Sequence, residues 1–316
     1  MKKTRPKPGL GETLGKAPPL LEVAGVTIDY PRKGGAEPVL GARNVSFWLD
    51  PGEVMALVGA TGSGKTTLTR ALGGLLPRRA RVLGGTAVLS PGINPDGRHR
   101  PVDLLAAPAR QMRLLRRERL AYLTREFSTQ LNPLLTIRRH IREAVRLGRR
   151  SIEFAAEAAW MPVLYDVGLV EPETLLDRFP AQVPGIALQR LLVAMALMRG
   201  VEILIADEPT SSLDAAAGAQ FLRLLDDLRK RHRLAILFVT HSFGAVRGFA
   251  DRVAVLFEGG VIETGLADQV LNRPKSDYTR ALLDCVPRLG EKRARLGEVD
   301  RVAARDAAAR VGAVEA

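Results

Sequence analysis

Two apolar patterns alternate along this chain. Residues 20–30 (LLEVAGVTIDY) and 39–59 (VLGARNVSFWLDPGEVMALVG) alternate or run apolar as strands do, with Gly34-Gly35 and Pro51-Gly52 as turns between them. They predict a β-rich edge. Residues 66–76 (TTLTRALGGLL) carry helical spacing, so the stretch 59–66 is a loop joining a buried strand to a helix. Residues 77–104 are rich in turn formers and yield no clear element. From about 112 to 150 the pattern is helical and very basic, and it stays helical to 199, interrupted by Pro162, Pro172, Pro180 and Pro184. This predicts an inserted helical lobe. The run VEILIADEP (201–209) is then a short buried strand ending in acids. A helix through FLRLLDDLRKRHR and another buried strand, LAILFVTH (234–241), follow it. Strands alternating with helices imply a parallel α/β core. Residues 1–19, rich in Pro, Gly and Lys, read as a disordered arm, and the Ala-, Arg- and Glu-rich end as a loose helix or tail.

With 316 residues, 46% apolar and 26% charged, the chain is a globular protein large enough for about two domains. Its one cysteine, Cys285, excludes an intrachain disulfide and any Cys-ligated zinc or iron–sulfur centre built from this chain alone. The formal charge of +13 raises nucleic acid or an anionic membrane as partners. At 5% aromatic residues, and with arginine dispersed along the chain, base stacking has little to work with, and no nucleic acid is expected. The longest apolar stretch, 188–206, is broken by Arg190, Arg199 and Glu202, so it is not expected to span a membrane. The first residues lack the unbroken apolar run of a signal peptide, and the expected place is inside the cell.

The chemistry concentrates in three places. Gly59, Ala60, Thr61, Gly62, Ser63, Gly64, Lys65 and Thr66, followed by Thr67, match GxxxxGK[ST] at a strand-to-helix junction. There, backbone N–H groups at a helix N-terminus can cradle phosphates, Lys65 can reach the β and γ phosphates, and the Thr66 hydroxyl can ligate Mg²⁺. Asp207 and Glu208 end an apolar strand. Paired acids at a strand end are alone a common surface turn. After a P-loop they suit a Mg²⁺ ligand (Asp207) and a general base that activates water (Glu208). His241 follows the next buried strand and so emerges at the same sheet edge, where an imidazole can sense a γ-phosphate.

GATGSGKTT, ILIADEPTSSLD and VTHS together resemble the Walker A, Walker B with D-loop, and H-loop of ABC ATPases, over about residues 20–287. QLNPLLTI and RPKSDYTRALLDCVPRL are similar to segments of the oligopeptide, dipeptide and nickel importer ATPases. The resemblance implies an α/β fold: a P-loop, RecA-like nucleotide-binding core with an N-terminal antiparallel β subdomain and an inserted α-helical subdomain. The corresponding division is 1–19 arm, 20–123 β subdomain and first part of the core, 124–199 helical signature subdomain, 200–270 second part of the core, and 271–316 family extension and tail. It further implies ATP and Mg²⁺ as cofactors and a subunit that dimerises head to tail. That subunit would sit at the cytoplasmic face of the membrane on two permeases, taking solute, peptide or a related small molecule, from a binding protein. Tyr30 then takes the place of the aromatic that stacks on adenine, and Asp214 that of the D-loop aspartate.

Two departures stand out. The family's signature reads SGGxxQR, but the aligned residues here are Pro184, Gly185, Ile186, Ala187, Leu188, Gln189 and Arg190. Pro184 removes a hydroxyl and an N–H, and Ile186 sets a β-branched side chain where backbone should approach phosphate. Val183, Pro184, Gly185, Ile186 and Gln189 are expected to face the nucleotide of a partner subunit. At the Q-loop, counting back from Leu131, Asn132 and Pro133 puts Arg125 where glutamine is usual. Arginine can pair with phosphate but cannot ligate Mg²⁺. These defects fall on the partner's site and imply a heterodimer with a second ATPase; the competing reading is that both sites still turn over. A nucleic-acid ATPase of the repair or condensation type is the alternative, against which stands the absence of a long heptad insertion. A kinase or GTPase fits less well, since no NKxD motif follows the acidic strand.

Overall fold

In the computed structural model the described residues are 18–32, 34, 37–91 and 100–285. Most of the expected arm and everything after 285, including the expected tail, lie outside them. Two sheets organise the chain. The first is antiparallel, ordered β2-β1-β4-β5, from β1 (Leu21–Tyr30), β2 (Val39–Leu49), β4 (Arg81–Leu89) and β5 (Val102–Asp103). In β1 the residues Leu21, Val23, Val26 and Ile28 are buried, so one face of this sheet is core.

The second sheet has six strands ordered β10-β9-β3-β8-β7-β6. They are β3 (Val54–Val58), β6 (Leu120–Leu123), β7 (Ile203–Asp207), β8 (Ala235–Thr240), β9 (Arg252–Phe257) and β10 (Gly260–Leu266). All neighbours are parallel except the β9–β10 hairpin. Every residue of β3, β7 and β8 is buried, as strands covered on both faces must be. Alternation divides β3 between two cores. Val54, Ala56 and Val58 pack with the helical lobe and α6 (Ala215–His232). Met55 and Leu57 pack with α1 (Lys65–Leu72), α2 (Ala109–Glu118) and the antiparallel sheet.

The lobe contains α3 (Ile137–Leu147), α4 (Trp160–Asp166) and α5 (Gly185–Arg199). In α3, Ile137, Ile141 and Val145 recur every fourth residue and are buried, and the Thr136 hydroxyl caps the helix by accepting from Arg139 N–H. Pro162 does not break α4 because it lies in its first turn, where no N–H has an intrahelical acceptor. Three short helices, α7 (Phe243–Val246), α8 (Ala267–Asn272) and α9 (Asp277–Asp284), complete the described chain. Glu263 holds the approach to α9 by accepting from the N–H groups of Lys275 and Ser276, and Tyr278 stacks on Phe257 at 4.4 Å between centroids. Among the described residues no helix is long and apolar enough to cross a membrane.

Several strands were hidden in the pattern, β5, β9 and β10 among them. The turn-rich stretch 77–104 contains β4, whose first six residues are exposed and which is held by its ladder to β1. The basic, helical-looking stretch 112–150 contains β6, four residues at the sheet's edge.

Candidate functional site

The loop between β3 and α1 is shaped by its glycines. Gly64 caps α1 with φ 101°, and a Cβ there would lie 2.2 Å from the Gly41 carbonyl oxygen. Gly59 is as constrained, since a Cβ would lie 2.3 Å from the Leu256 oxygen. Only glycine fits backbone packed this closely with positive φ. Ala60, Thr61, Gly62 and Ser63 make the turn, and Ser63 N–H donates to Ala60 oxygen at 3.1 Å.

Lys65 is buried, and its Nζ donates to the carbonyls of Gly59 (2.7 Å) and Ala60 (2.9 Å) and to Ser63 Oγ (3.2 Å). Burial lowers its pKa from the usual lysine range, and the nearby Glu208 and Asp207 oppose that shift. The loop therefore holds a poorly hydrated cation at the N-terminus of α1, an arrangement suited to phosphate.

Asp207 and Glu208 leave the end of β7, beside β8 and β6 in the same parallel sheet. Asp207 Oδ1 accepts from the Thr66 hydroxyl at 3.3 Å, and Oδ2 from the Tyr122 hydroxyl at 3.0 Å. Burial raises the Asp207 pKa, while the hydrogen bonds from Tyr122 and Thr66 pull it down. Tyr122 also shares a hydrogen bond with Thr69 Oγ1 at 2.9 Å, and burial, with the Asp207 charge, pushes its phenol upward. Sequence reading missed Tyr122. It lies on β6, and only the β6–β7 pairing, which sets Tyr122 opposite Ile205, brings it to the acids.

A Thr hydroxyl beside a carboxylate is a hard oxygen donor pair of the kind Mg²⁺ takes when phosphates and water supply its other ligands. Among the described residues no cluster of three or more His, Cys, Asp or Glu could hold a metal alone. Thr66 and Asp207 thus fit a nucleotide-bound Mg²⁺ and not a free-standing metal centre.

Glu208 has left-handed backbone, φ 52°, and its N–H donates to the Val239 carbonyl at 2.9 Å. Its Oε1 lies 3.3 Å from His241 Nδ1, just beyond the end of β8. The two residues assigned to base and sensor thus meet. Arg125 is exposed and borders one cleft of about 460 Å³ with Thr61, Thr66, Tyr122, Asp207 and Glu208. At the end of β1, the Tyr30 hydroxyl lies 3.1 Å from Thr67 Oγ1, so its ring flanks the start of α1. Asp214 is exposed and caps α6, its carboxylate accepting from Ala217 N–H at 2.8 Å.

The signature residues occupy the start of α5 and none borders that cleft. Pro184 and Gly185 are exposed and Ile186 half-buried. Val183 and Gln189 depart from expectation: Val183 is 6% exposed and Gln189 fully buried, so neither side chain faces outward. Val183 belongs to the lobe's core, and Gln189 is turned inward by its amide, whose Nε2 donates to the Pro209 carbonyl at 2.8 Å. Its Oε1 has no hydrogen-bond partner. Gln189 therefore ties α5 to the residue that follows Glu208.

Comparison with known proteins agrees with this geometry. A family model described as ABC transporter matches residues 42–211. The peptidoglycan transport ATP-binding protein YejF of Agrobacterium fabrum is 40% identical over 270 residues, covering 85% of this chain and 47% of that protein. The glutathione import ATP-binding protein GsiA of Escherichia coli (strain K12) is 37% identical over 252 residues, 80% of this chain and 40% of that protein. The chain spans about half the length of the curated relatives it matches. Among solved structures, dimeric MJ0796, a bacterial ABC transporter cassette, superposes with TM-score 0.63 at 24% identity, covering 78% of this chain and 98% of that one. The cbiO1 protein of Clostridium perfringens, part of the ABC transporter complex cbiONQ, gives 0.63 at 21%, covering 81% and 91%. These likenesses establish the fold as that of an ABC ATPase cassette.

Proposed function

The chain belongs to the ABC transporter family, and on that premise we propose that it binds and hydrolyses ATP to drive an importer of peptides or a related small solute. The observation that carries this reading is the convergence of Lys65, Thr66, Asp207, Glu208 and His241 at one edge of the parallel sheet. The names of the relatives, peptidoglycan transport and glutathione import, support peptide-like cargo.

In this reading the glycine loop and Lys65 hold the β and γ phosphates, and Tyr30 lies under the adenine. Thr66 and Asp207 would hold Mg²⁺, which supplies charge neutralisation on the phosphates when bound. Glu208 accepts a proton from the attacking water as its oxygen bonds to the γ-phosphorus, while the bond from γ-phosphorus to the bridging oxygen breaks. His241 orients Glu208 and contacts the γ-phosphate. Arg125 supplies a charge at the same cleft in place of an amide. Asp214, with the exposed start of α5, faces a second ATPase subunit. The whole sits on two permeases at the cytoplasmic face, fed by a solute-binding protein.

In this reading the departures at Pro184 and Ile186 weaken the half-site that holds the partner's nucleotide. Proline leaves α5 without a side-chain cap. The Gly185 and Ile186 N–H groups and the helix dipole remain to meet phosphate, so binding there persists while the hydroxyl contact is lost. Glu208→Gln keeps shape and removes the base. In the assembled transporter it is expected to stop transport and trap ATP, while the same change in the partner matters much less. Transport that continues with Glu208→Gln but stops with the partner's change would reverse the assignment. Robust hydrolysis by this chain paired only with itself would show that the altered loop does not impair a site.

A further inference from the structure

The outer face of α2 carries a stripe of arginines that the fold leaves unneutralised. Met112 and Leu115 point into the core, 4% and 7% exposed. Arg110, Arg113 and Arg117, three and four residues apart, therefore share the opposite face, and all three are exposed. Among the described residues Arg110 and Arg113 have no ion-pair partner, and Arg117 donates only to the Leu147 carbonyl at the end of α3. The neighbouring α3 pairs three of its four arginines, Arg146 being the exception among the described residues. Arg138 pairs with Glu157 and Asp177, Arg139 with Glu143, and Arg142 with Glu157. Most arginines of α3 are thus matched by acids, and the α2 stripe is not.

Within the stripe Leu114 stands 48% exposed, and Leu147, beside Arg117, is 40% exposed. A short helix face with guanidinium groups set around protruding leucines is the combination that headgroup regions accept. The cations meet lipid phosphates, and the leucine tips enter the apolar boundary. A nucleic-acid strand would find charge here but no aromatic ring to stack on.

We propose that this face of α2 is a docking surface for anionic phospholipid headgroups, holding the cassette against the bilayer beside its permeases. The proposal relies on the importer reading only to bring the chain near a membrane. The surface itself is tested on the full chain with phosphatidylcholine vesicles, with and without phosphatidylglycerol, by flotation across a salt series. Each arginine near an anionic surface contributes about fivefold in partitioning, so changing Arg110, Arg113 and Arg117 together to Gln is expected to lose on the order of a hundredfold. A control with Arg139, Arg142 and Arg231 changed to Gln removes the same formal charge from ion-paired positions and is expected to keep most of the binding. Mg·ATP titration reports that both variants fold, and unchanged nucleotide affinity separates failure of this proposal from failure of the ATPase reading.

Selective loss in the α2 variant, restricted to vesicles with phosphatidylglycerol, supports the surface. Any of four results overturns it: no binding by the wild type, equal binding to neutral vesicles, equal loss in the control, or no loss in the α2 variant. Loss of duplex DNA binding with vesicle binding intact overturns it in favour of nucleic acid.

Discussion

Replacing Tyr122 with Phe removes one oxygen atom from the site and nothing from its packing. The hydroxyl donates to Asp207 Oδ2 at 3.0 Å and lies 2.9 Å from Thr69 Oγ1. A hydrogen bond to a buried carboxylate contributes about 1.5–3 kcal/mol, and the neutral bond to Thr69 about 1. Thr69 keeps its contact to the Thr66 carbonyl, and water reaching the cleft beside Tyr122 replaces part of the first bond. The net cost at neutral pH is therefore about 2 kcal/mol. Its pH dependence has a definite sign. Burial already raises the Asp207 pKa above 3.8, and losing the Tyr122 donor lets it rise further. In the window above 3.8 the folded variant then holds more of a proton than the folded wild type, so its stability falls more steeply as pH rises. The deficit should be largest at neutral pH and shrink as pH falls toward 4. Urea unfolding of both proteins across that range measures it, and in a Mg²⁺ titration ATP binding should saturate only at higher Mg²⁺ in the variant. A deficit below about 0.5 kcal/mol that does not change with pH would refute the idea that Tyr122 holds the carboxylate.

Lys65→Ala should weaken Mg·ATP binding at least about tenfold, because a desolvated ammonium is the loop's main phosphate charge; equal affinities in a nucleotide titration would sink the phosphate role. Tyr30→Ala should cost on the order of 1 kcal/mol of nucleotide affinity through lost stacking, and an unchanged value would move the adenine platform elsewhere. Gly64→Ala combines left-handed backbone with a Cβ 2.2 Å from the Gly41 oxygen, so thermal unfolding should show a loss of about 3 kcal/mol; a near-neutral change would mean the loop is free to relax.

The sequence made legible those parts in which backbone geometry admits few residues. A loop with left-handed Gly64 leading into a buried lysine can be written in few ways, and strands covered on both faces, such as β7 and β8, must be apolar throughout. Their order placed Asp207, Glu208 and His241 at one edge. Less was legible where stability comes from distant pairing. In β4, Gly84 and Gly85 and an exposed first half suppress any strand signature, and the partner that makes it a strand is β1, more than fifty residues away for Arg81 and Asp29. Tyr122 was invisible for the same reason: four residues of β6 sit inside an arginine-rich run, and sheet order alone brings its phenol to Asp207. Gln189 misled in the other direction. Its alignment with the family's signature suggested a residue facing a partner's nucleotide, and the fold instead buries it completely.

That buried amide has a mechanical consequence. The helical lobe joins the core by two covalent crossings, one after β6 and one before β7. The bond from Gln189 to the Pro209 carbonyl closes the second crossing into a ring, and because Gln189 Oε1 is already without a partner, breaking that bond would strand both polar ends of one buried amide. A rotation of the lobe that preserves the ring must turn about an axis passing near Pro209. Travel is then smallest beside Glu208 and grows with distance from that pivot. One amide thereby ties any movement of the lobe to the residue next to Glu208.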